Sequence, residues 1–343
     1  MKYLITGGAG FAGSNIARKV LIEGHDLLII DNLERQGAAS NLDWLRKYGE
    51  FEFIEANIIE DKTVNKIFEK NNPDIIFHLA GQVAMTTSIL DPLSDMKINL
   101  LGTLNILEAM KTYCKDSFMI FSSTNKVYGD LEYLNFTENK TRFICESHPI
   151  GFDEEINLEF HSPYGCSKGA ADQYVLDYSR IYGINASVFR HSTMYGGRQF
   201  ATADQGWIGW FCKKGLEIQK GIELGELEIS GTGKQVRDIL HSSDVVDLYM
   251  LAAKNPAKIN GKAFNVGGGV ENSISILELF IFLEEELEIK VDFTKLPQRE
   301  SDQKVFISDN SKISNYLDWQ PQISLNEGLR EQINWLKKAF NEA

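Results

Sequence analysis

Proline and cysteine are scarce in this chain, at 7 and 4 of 343 residues. Cys114, Cys145, Cys166 and Cys212 are spaced 31, 21 and 46 residues apart, with no CxxC pair and no histidine cluster beside them. That spacing points away from a disulfide framework and from a metal site. Basic residues are also in deficit: 35 Lys and Arg face 48 Asp and Glu, for a net charge of -13. A phosphate-backbone binder needs a basic face to release counterions, so no nucleic-acid partner is expected. A small anion is a different matter, because two or three well-placed arginines suffice for a diphosphate. No apolar run reaches the roughly 18 residues of a membrane span, so no membrane partner is expected. No basic segment followed by an apolar stretch precedes the glycine-rich loop at residues 7–13, and a cytoplasmic location is the expectation. Hydrophobic residues at 43% and charged residues at 24% exclude collagen-like, low-complexity and disordered chains.

Short apolar, β-branched runs are present, and they alternate with helical patterns. Strands are expected over Lys2–Thr6, Asp26–Asp31, Phe51–Asn57, Asp74–Ala80, Ser117–Ser122 and Ala186–His191. Amphipathic stretches at Phe11–Glu23, Lys62–Lys70 and Ser94–Thr112 lie between them. This alternation implies parallel βαβ units, and near-continuous apolar strands imply a sheet covered on both faces. The expected class is α/β, a doubly wound parallel (Rossmann) sheet over residues 1–190. A smaller, partly interleaved domain is expected over 191–343, with about 237–256 packing back on the first. Helices are expected there at Ser243–Lys254 and Ser275–Glu288. The acidic stretch from Asp130 to His161 reads equally as an ordered insertion near the site or as a solvated loop.

Two constellations carry chemistry. Directly after the first strand, Gly7, Gly10 and Gly13 stand in GxxGxxG spacing and open a helix, as a pyrophosphate at a helix N-terminus requires. Asp31 ends the second strand, placed for a ribose 2′-hydroxyl, and its charge would repel a 2′-phosphate; NAD is favoured over NADP. Tyr164 and Lys168, one helical turn apart, share a face, and an ammonium beside a phenol favours the phenolate. Ser122, Ser123 and Thr124 at the end of a strand offer a further hydroxyl.

TGGAGFAGS at 6–14, DN at 31–32, HLAGQ at 78–82, SSTNKVYGD at 122–130, YGCSK at 164–168 and RDILH at 237–241 resemble the extended short-chain dehydrogenase/reductases that act on nucleotide sugars. The likeness covers nearly the whole chain. Within that family, AGQVAMTTSI at 80–89, FHSPYGCSKGAADQY at 160–174, FRHSTMYGGRQFAT at 189–202 and DQGWIGWF at 204–211 resemble the 2-epimerase branch.

The resemblance implies inversion at carbon 2 of a CDP-linked dideoxyhexose, through a transient ketone and with tightly held NAD. It makes Tyr164 the base, Lys168 the residue that lowers its pKa and holds the nicotinamide ribose, and Thr124 a hydrogen-bond partner of the reacting oxygen. It implies cofactor contacts at Gly7, Gly10, Phe11, Ala12, Asp31, Asn32, Arg35, Asn57, Ile58, Leu79, Ala80, Gln82, Asn99, Ser122 and His191. Sugar contacts are implied at Thr86, Thr87 and Ser88, and diphosphate contacts at Arg237 and Arg299. A homo-oligomer, dimer or tetramer, is the family expectation. A 4,6-dehydratase would need an Asp-Glu pair where Asn125 and Lys126 stand. A 4-epimerase shares the Thr, Tyr and Lys set, and a non-catalytic dinucleotide sensor is the rival outside enzymes.

Overall fold

The computed structural model describes residues 1–222, 227–299 and 301–342. Seven strands form one parallel sheet: β1 Lys2–Thr6, β2 Asp26–Asp31, β3 Glu52–Glu55, β4 Ile75–His78, β5 Phe118–Thr124, β6 Asn185–His191 and β7 Ala263–Val266. Their spatial order is β7-β6-β5-β4-β1-β2-β3. In register, Leu4 of β1 lies between Leu28 of β2 and Ile76 of β4. The strand order reverses between β1 and β4, and ligands of open α/β sheets bind beyond the carboxyl ends of the strands at such a point.

The strands are apolar throughout because both faces are covered. Tyr3 and Ile5 pack on one side with the helices Phe11–Ile22 and Ser242–Lys254. Leu4, between them, packs on the other side with the helices Asp61–Lys70, Gly102–Tyr113 and Ser162–Tyr182. Successive strand side chains point to opposite faces, so each face receives alternate residues. A fully buried Leu or Ile contributes about 1.5–3 kcal/mol, which makes this two-sided packing the main stabilising term.

Two elements differ from the sequence expectation. The stretch Ser94–Thr112 is not one helix: Pro92–Met96 leads into a π-helical turn at Lys97–Leu101 and then Gly102–Tyr113. Such a turn inserts a residue and rotates the side chains that follow, and it recurs at functional sites. β7 is the second difference, and it shows that the sheet draws on residues well past 190: Ala263 pairs with Val188 of β6.

A separate core joins the helices Trp207–Gln219, Ile276–Leu287 and Leu325–Glu342, with Ile208, Phe280 and Leu329 at its centre. Of the two alternatives for residues 130–161, the structure has the ordered insertion. It contains a short hairpin, Thr137–Glu138 with Phe143–Ile144. Leu131, Cys145 and Phe152 are buried against Val305 and Phe306.

Candidate active site

The glycine turn is built from contacts that leave no room for side chains. Gly7 takes φ +71°, and a Cβ there would lie 2.8 Å from the main-chain nitrogen of Ala80. A Cβ on Gly13 would run into the carbonyl oxygen of Gly7. The loop thus presses the start of the Phe11–Ile22 helix against the end of β4, leaving its first N–H groups open at the helix N-terminus. Asp31 holds this arrangement from beside it: its carboxylate accepts the N–H of Ala9 at 3.0 Å and of Leu33 at 2.9 Å. Burial pushes its pKa up against those bonds.

Asn57 turns its own loop by accepting the N–H of Ile59 at 3.1 Å. Ile58 is buried against Gly102. Leu79 and Ala80 follow β4 and are half-buried, as are Phe11 and Ala12 at the helix start, whereas Asn32 and Arg35 after β2 are exposed. Glycine clearance, an open helix N-terminus and a carboxylate at the end of β2 together fit an adenine dinucleotide.

The catalytic candidates come from β5 and the long helix. Thr124 ends β5, and Tyr164 and Lys168 lie on the buried face of Ser162–Tyr182. Lys168 Nζ donates to the Ser122 carbonyl at 2.5 Å and sits 4.2 Å from the centre of the Phe121 ring. Burial lowers its pKa to about 7 despite the charges of Asp172 and Asp95. Burial likewise pushes the Tyr164 phenol up to about 12, although a hydrogen bond with Thr124 opposes the shift. Lys168 stands one turn further along the same helix. Its ammonium is committed to β5 and depressed by the same desolvation that raises the phenol.

Sequence reasoning assigned Gln82 and Asn99 to the cofactor, and the structure turns them toward each other. Gln82 Nε2 donates to Asp95 at 2.8 Å, and Asn99 Oδ1 accepts the Gln82 main-chain N–H at 2.9 Å. Asn99 Nδ2 donates to Asp95 and to Ser167 Oγ, both at 3.1 Å. Ser167 stands one residue before Lys168, so this buried network fixes the helix that carries the catalytic pair. The π-helical turn lets Asn99 face it. His191 is also packed: Nε2 lies 2.9 Å from the Tyr249 hydroxyl, and its Nδ1 is buried without a partner among the described residues. Burial lowers its pKa to about 3, so it stays neutral.

A cavity of about 580 Å³ opens from Thr124 and Tyr164 outward. Arg237 and Arg299 line it, with Lys126, Thr193, Trp207 and Trp210, none of which except the arginines was assigned from sequence. The tryptophans lie in the DQGWIGWF stretch, and two indoles three residues apart on a helix were the available signal. Ser88 is buried and donates to the Met85 carbonyl at 2.7 Å, while Thr87 is exposed and the Thr86 hydroxyl is buried without a partner among the described residues. Met85 and Val83 are the residues of that segment at the cavity wall. A helix sends consecutive side chains to different sides, so the three side chains do not point the same way.

A glycine turn with an open helix N-terminus, beside a buried Thr, Tyr and Lys set that opens into a cavity with two arginines, fits an NAD-dependent enzyme. The chain matches the GDP-mannose 4,6-dehydratase family over residues 4–332. It is 56% identical to a CDP-paratose 2-epimerase of Salmonella typhi, over 98% of this chain and 99% of that one. It is 34% identical to a putative UDP-glucose 4-epimerase of Methanocaldococcus jannaschii, over 97% and 98%. Among solved structures it resembles the UDP-glucose 4-epimerase of Thermotoga maritima with UDP-glucose, at TM-score 0.83 and 30% identity, covering 99% and 100%. It also resembles the UDP-glucuronic acid 4-epimerase of Bacillus cereus in complex with UDP-glucuronic acid and NAD, at 0.84 and 26%, covering 99% and 100%. The chain belongs to the GDP-mannose 4,6-dehydratase family, a family of enzymes. Among the described residues no helix is long and apolar enough to cross a membrane.

Proposed function

We propose that this protein inverts carbon 2 of a CDP-linked dideoxyhexose, of the CDP-paratose and CDP-tyvelose type, with NAD as its bound cofactor. One observation carries the reading: Thr124 and Tyr164 open onto the same cavity as Arg237 and Arg299. A sugar can thus meet the catalytic hydroxyls while its diphosphate is held in the same cavity. The 56% identity to a CDP-paratose 2-epimerase supports the nucleobase and the position.

Gly7, Gly10, Asp31 and the helix N-terminus would hold the dinucleotide. Bound there, NAD would supply the hydride acceptor and donor and, in its oxidised form, a positive charge that would add to that of Lys168 in favouring the phenolate. Tyr164 takes the proton of the sugar 2-hydroxyl, Thr124 hydrogen-bonds the same oxygen, and the ketone formed is neutral and free to turn. Arg237 and Arg299 keep the diphosphate in place meanwhile, through charge-assisted contacts. Tyr164 then returns its proton to the oxygen on the new face.

NAD-loaded protein incubated with CDP-tyvelose or CDP-paratose is expected to yield the 2-epimer, read by proton NMR; no epimer sinks the reading. In deuterated water carbon 2 is expected to keep its own hydrogen. Full solvent labelling in the first turnover would instead indicate base-catalysed exchange.

The proposal includes a homo-oligomer, dimer or tetramer. Tyr113 and Leu101 of one helical segment, and Tyr174, Ile181 and Tyr182 of the adjacent long helix, are large apolar groups left exposed, and such patches mark association surfaces. Light scattering at the monomer mass would remove this part. A cytoplasmic location is also proposed, supported by the four free cysteines.

A further inference from the structure

Two residues beyond Thr124, the strand end carries Lys126, whose role the catalytic set leaves unexplained. Its Nζ donates to the Ser301 carbonyl at 3.0 Å and lies 3.8 Å from Asp302 Oδ1. Arg237 Nη2 meets that same oxygen at 2.7 Å. One carboxylate oxygen therefore holds two cations together at the cavity wall, with Arg299 lining the same cavity. Lys126, Arg237 and Arg299 against Asp302 leave two positive charges, the number that a diphosphate diester brings in negative form.

The cluster is also rigidly tied to the catalytic residues. The Lys126 main-chain N–H donates to Thr124 Oγ1 at 3.2 Å. Asn125 Nδ2 donates to Gln303 Oε1 at 3.0 Å, and Gln303 Nε2 donates to the Gly129 carbonyl at 2.7 Å. The segment bearing Asp302 is thereby stapled to the end of β5, and the Lys126 ammonium is fixed relative to Thr124. Burial, with the nearby Arg237 charge, depresses its pKa to about 8, which an arriving anion would reverse.

We infer that Lys126 binds the sugar-linked phosphate and so selects carbon 2 as the position offered to Tyr164. The argument rests on the carbon 2 reading above and on ring geometry. In a pyranose, carbon 1 bears the diphosphate and is bonded to carbon 2, whereas carbon 4 lies across the ring. Presenting carbon 2 to Thr124 and Tyr164 draws the attached phosphate toward the catalytic strand, and a cation is needed there. Presenting carbon 4 carries that phosphate away from the catalytic strand, where no cation beside Thr124 is called for. A Lys fixed two residues after the catalytic threonine answers the first geometry.

The test uses NAD-loaded full-length protein and the substitutions Lys126→Met and Lys126→Arg, with CDP and CMP as probes in calorimetric titrations. CDP carries the sugar-linked phosphate and CMP lacks it. Lys126→Met is expected to weaken CDP about tenfold or more, to leave CMP unchanged, and to lower kcat/KM for 2-epimerisation at least as far. Lys126→Arg is expected to restore part of the CDP affinity. Equal losses for CDP and CMP, or no loss for either, overturn the assignment, as does unchanged 2-epimerisation by Lys126→Met. If wild-type protein epimerises no CDP-sugar at carbon 2, the functional reading itself has failed, and the CDP against CMP comparison still decides whether Lys126 binds the phosphate.

Discussion

Lys168 Nζ donates to the Ser122 carbonyl at 2.5 Å, so the helix that bears the catalytic tyrosine is pinned to the strand that ends in Thr124. The bond fixes where the ammonium stands relative to the phenol, one helical turn away. Lys168→Met removes the charge and leaves one carbonyl without that donor, at a stability cost of about 1–3 kcal/mol. Turnover should fall further, by about 10²-fold or more, because the buried ammonium one turn from the phenol is gone. Steady-state kinetics beside urea unfolding separates the two. A kcat within a few fold of wild type would remove Lys168 from the mechanism.

Tyr164→Phe deletes one oxygen from a buried, well-packed ring. The phenol already sits at about 12, on the protonated side, so its loss takes no charge from the folded protein. Stability should change by less than about 1.5 kcal/mol, as for a near-isosteric swap. Epimerisation should drop by about 10³-fold or more, since proton transfer from the sugar hydroxyl has no other acceptor. NAD should remain bound, measured by absorbance after denaturation. Retained wild-type turnover would overturn the assignment.

Behind β5 lies a buried ion pair. Asp172 accepts from Arg190 Nε and Nη2, both at 2.9 Å, and from Ser123 Oγ at 2.8 Å; Asp172 is fully buried. Arg190 Nη1 donates in turn to the Tyr128 hydroxyl at 3.0 Å, linking β6 to the 125–128 turn that carries Lys126. Asp172→Ala would strand a guanidinium in the core, and breaking a buried pair from one side costs about 3–5 kcal/mol. Urea unfolding is the measurement. A loss under about 1 kcal/mol would mean that water reaches Arg190 and that the pair is not what locks these elements together.

How far the sequence revealed all this depends on range. β1 and β2 have the bounds expected from sequence, because an apolar run closed by glycine or by a polar turn is local information. β7 was missed because Ala263–Val266 is only four residues long and its strand character comes from pairing with β6, some 75 residues earlier. Tyr164 and Lys168 were legible through their helical spacing. Asn99 and Gln82 were recognised as residues of the site, but their buried network was not: periodicity cannot show a π-helical turn, nor that Asp95 and Ser167 would receive them. Lys126 stood out in the sequence only as one of the two residues found where a 4,6-dehydratase would need an Asp-Glu pair. Its meaning came from Asp302 and Arg237, which reach it across the fold.

The residue before the long helix supplies a pH test. His161 Nδ1 lies 2.8 Å from Asp130, and Nε2 lies 3.2 Å from Glu159. The hydrogen bond with Asp130 raises its pKa above the ordinary histidine value, overriding desolvation, and the charges of Asp130 and Glu159 add to it. A cation at a helix N-terminus opposes the helix dipole, so the two carboxylates must outweigh that effect. Because the folded-state pKa is raised, the stabilisation is fully present below the unfolded histidine value of about 6.5 and is lost as pH rises through the folded value. His161→Gln should therefore lower Tm more at about pH 5.5 than at about pH 8.5, with the difference worth less than about 1 kcal/mol for a partly exposed pair. Thermal melts of both proteins at the two pH values give the result. A larger Tm loss at the higher pH would show that the imidazolium is not favoured in the folded state.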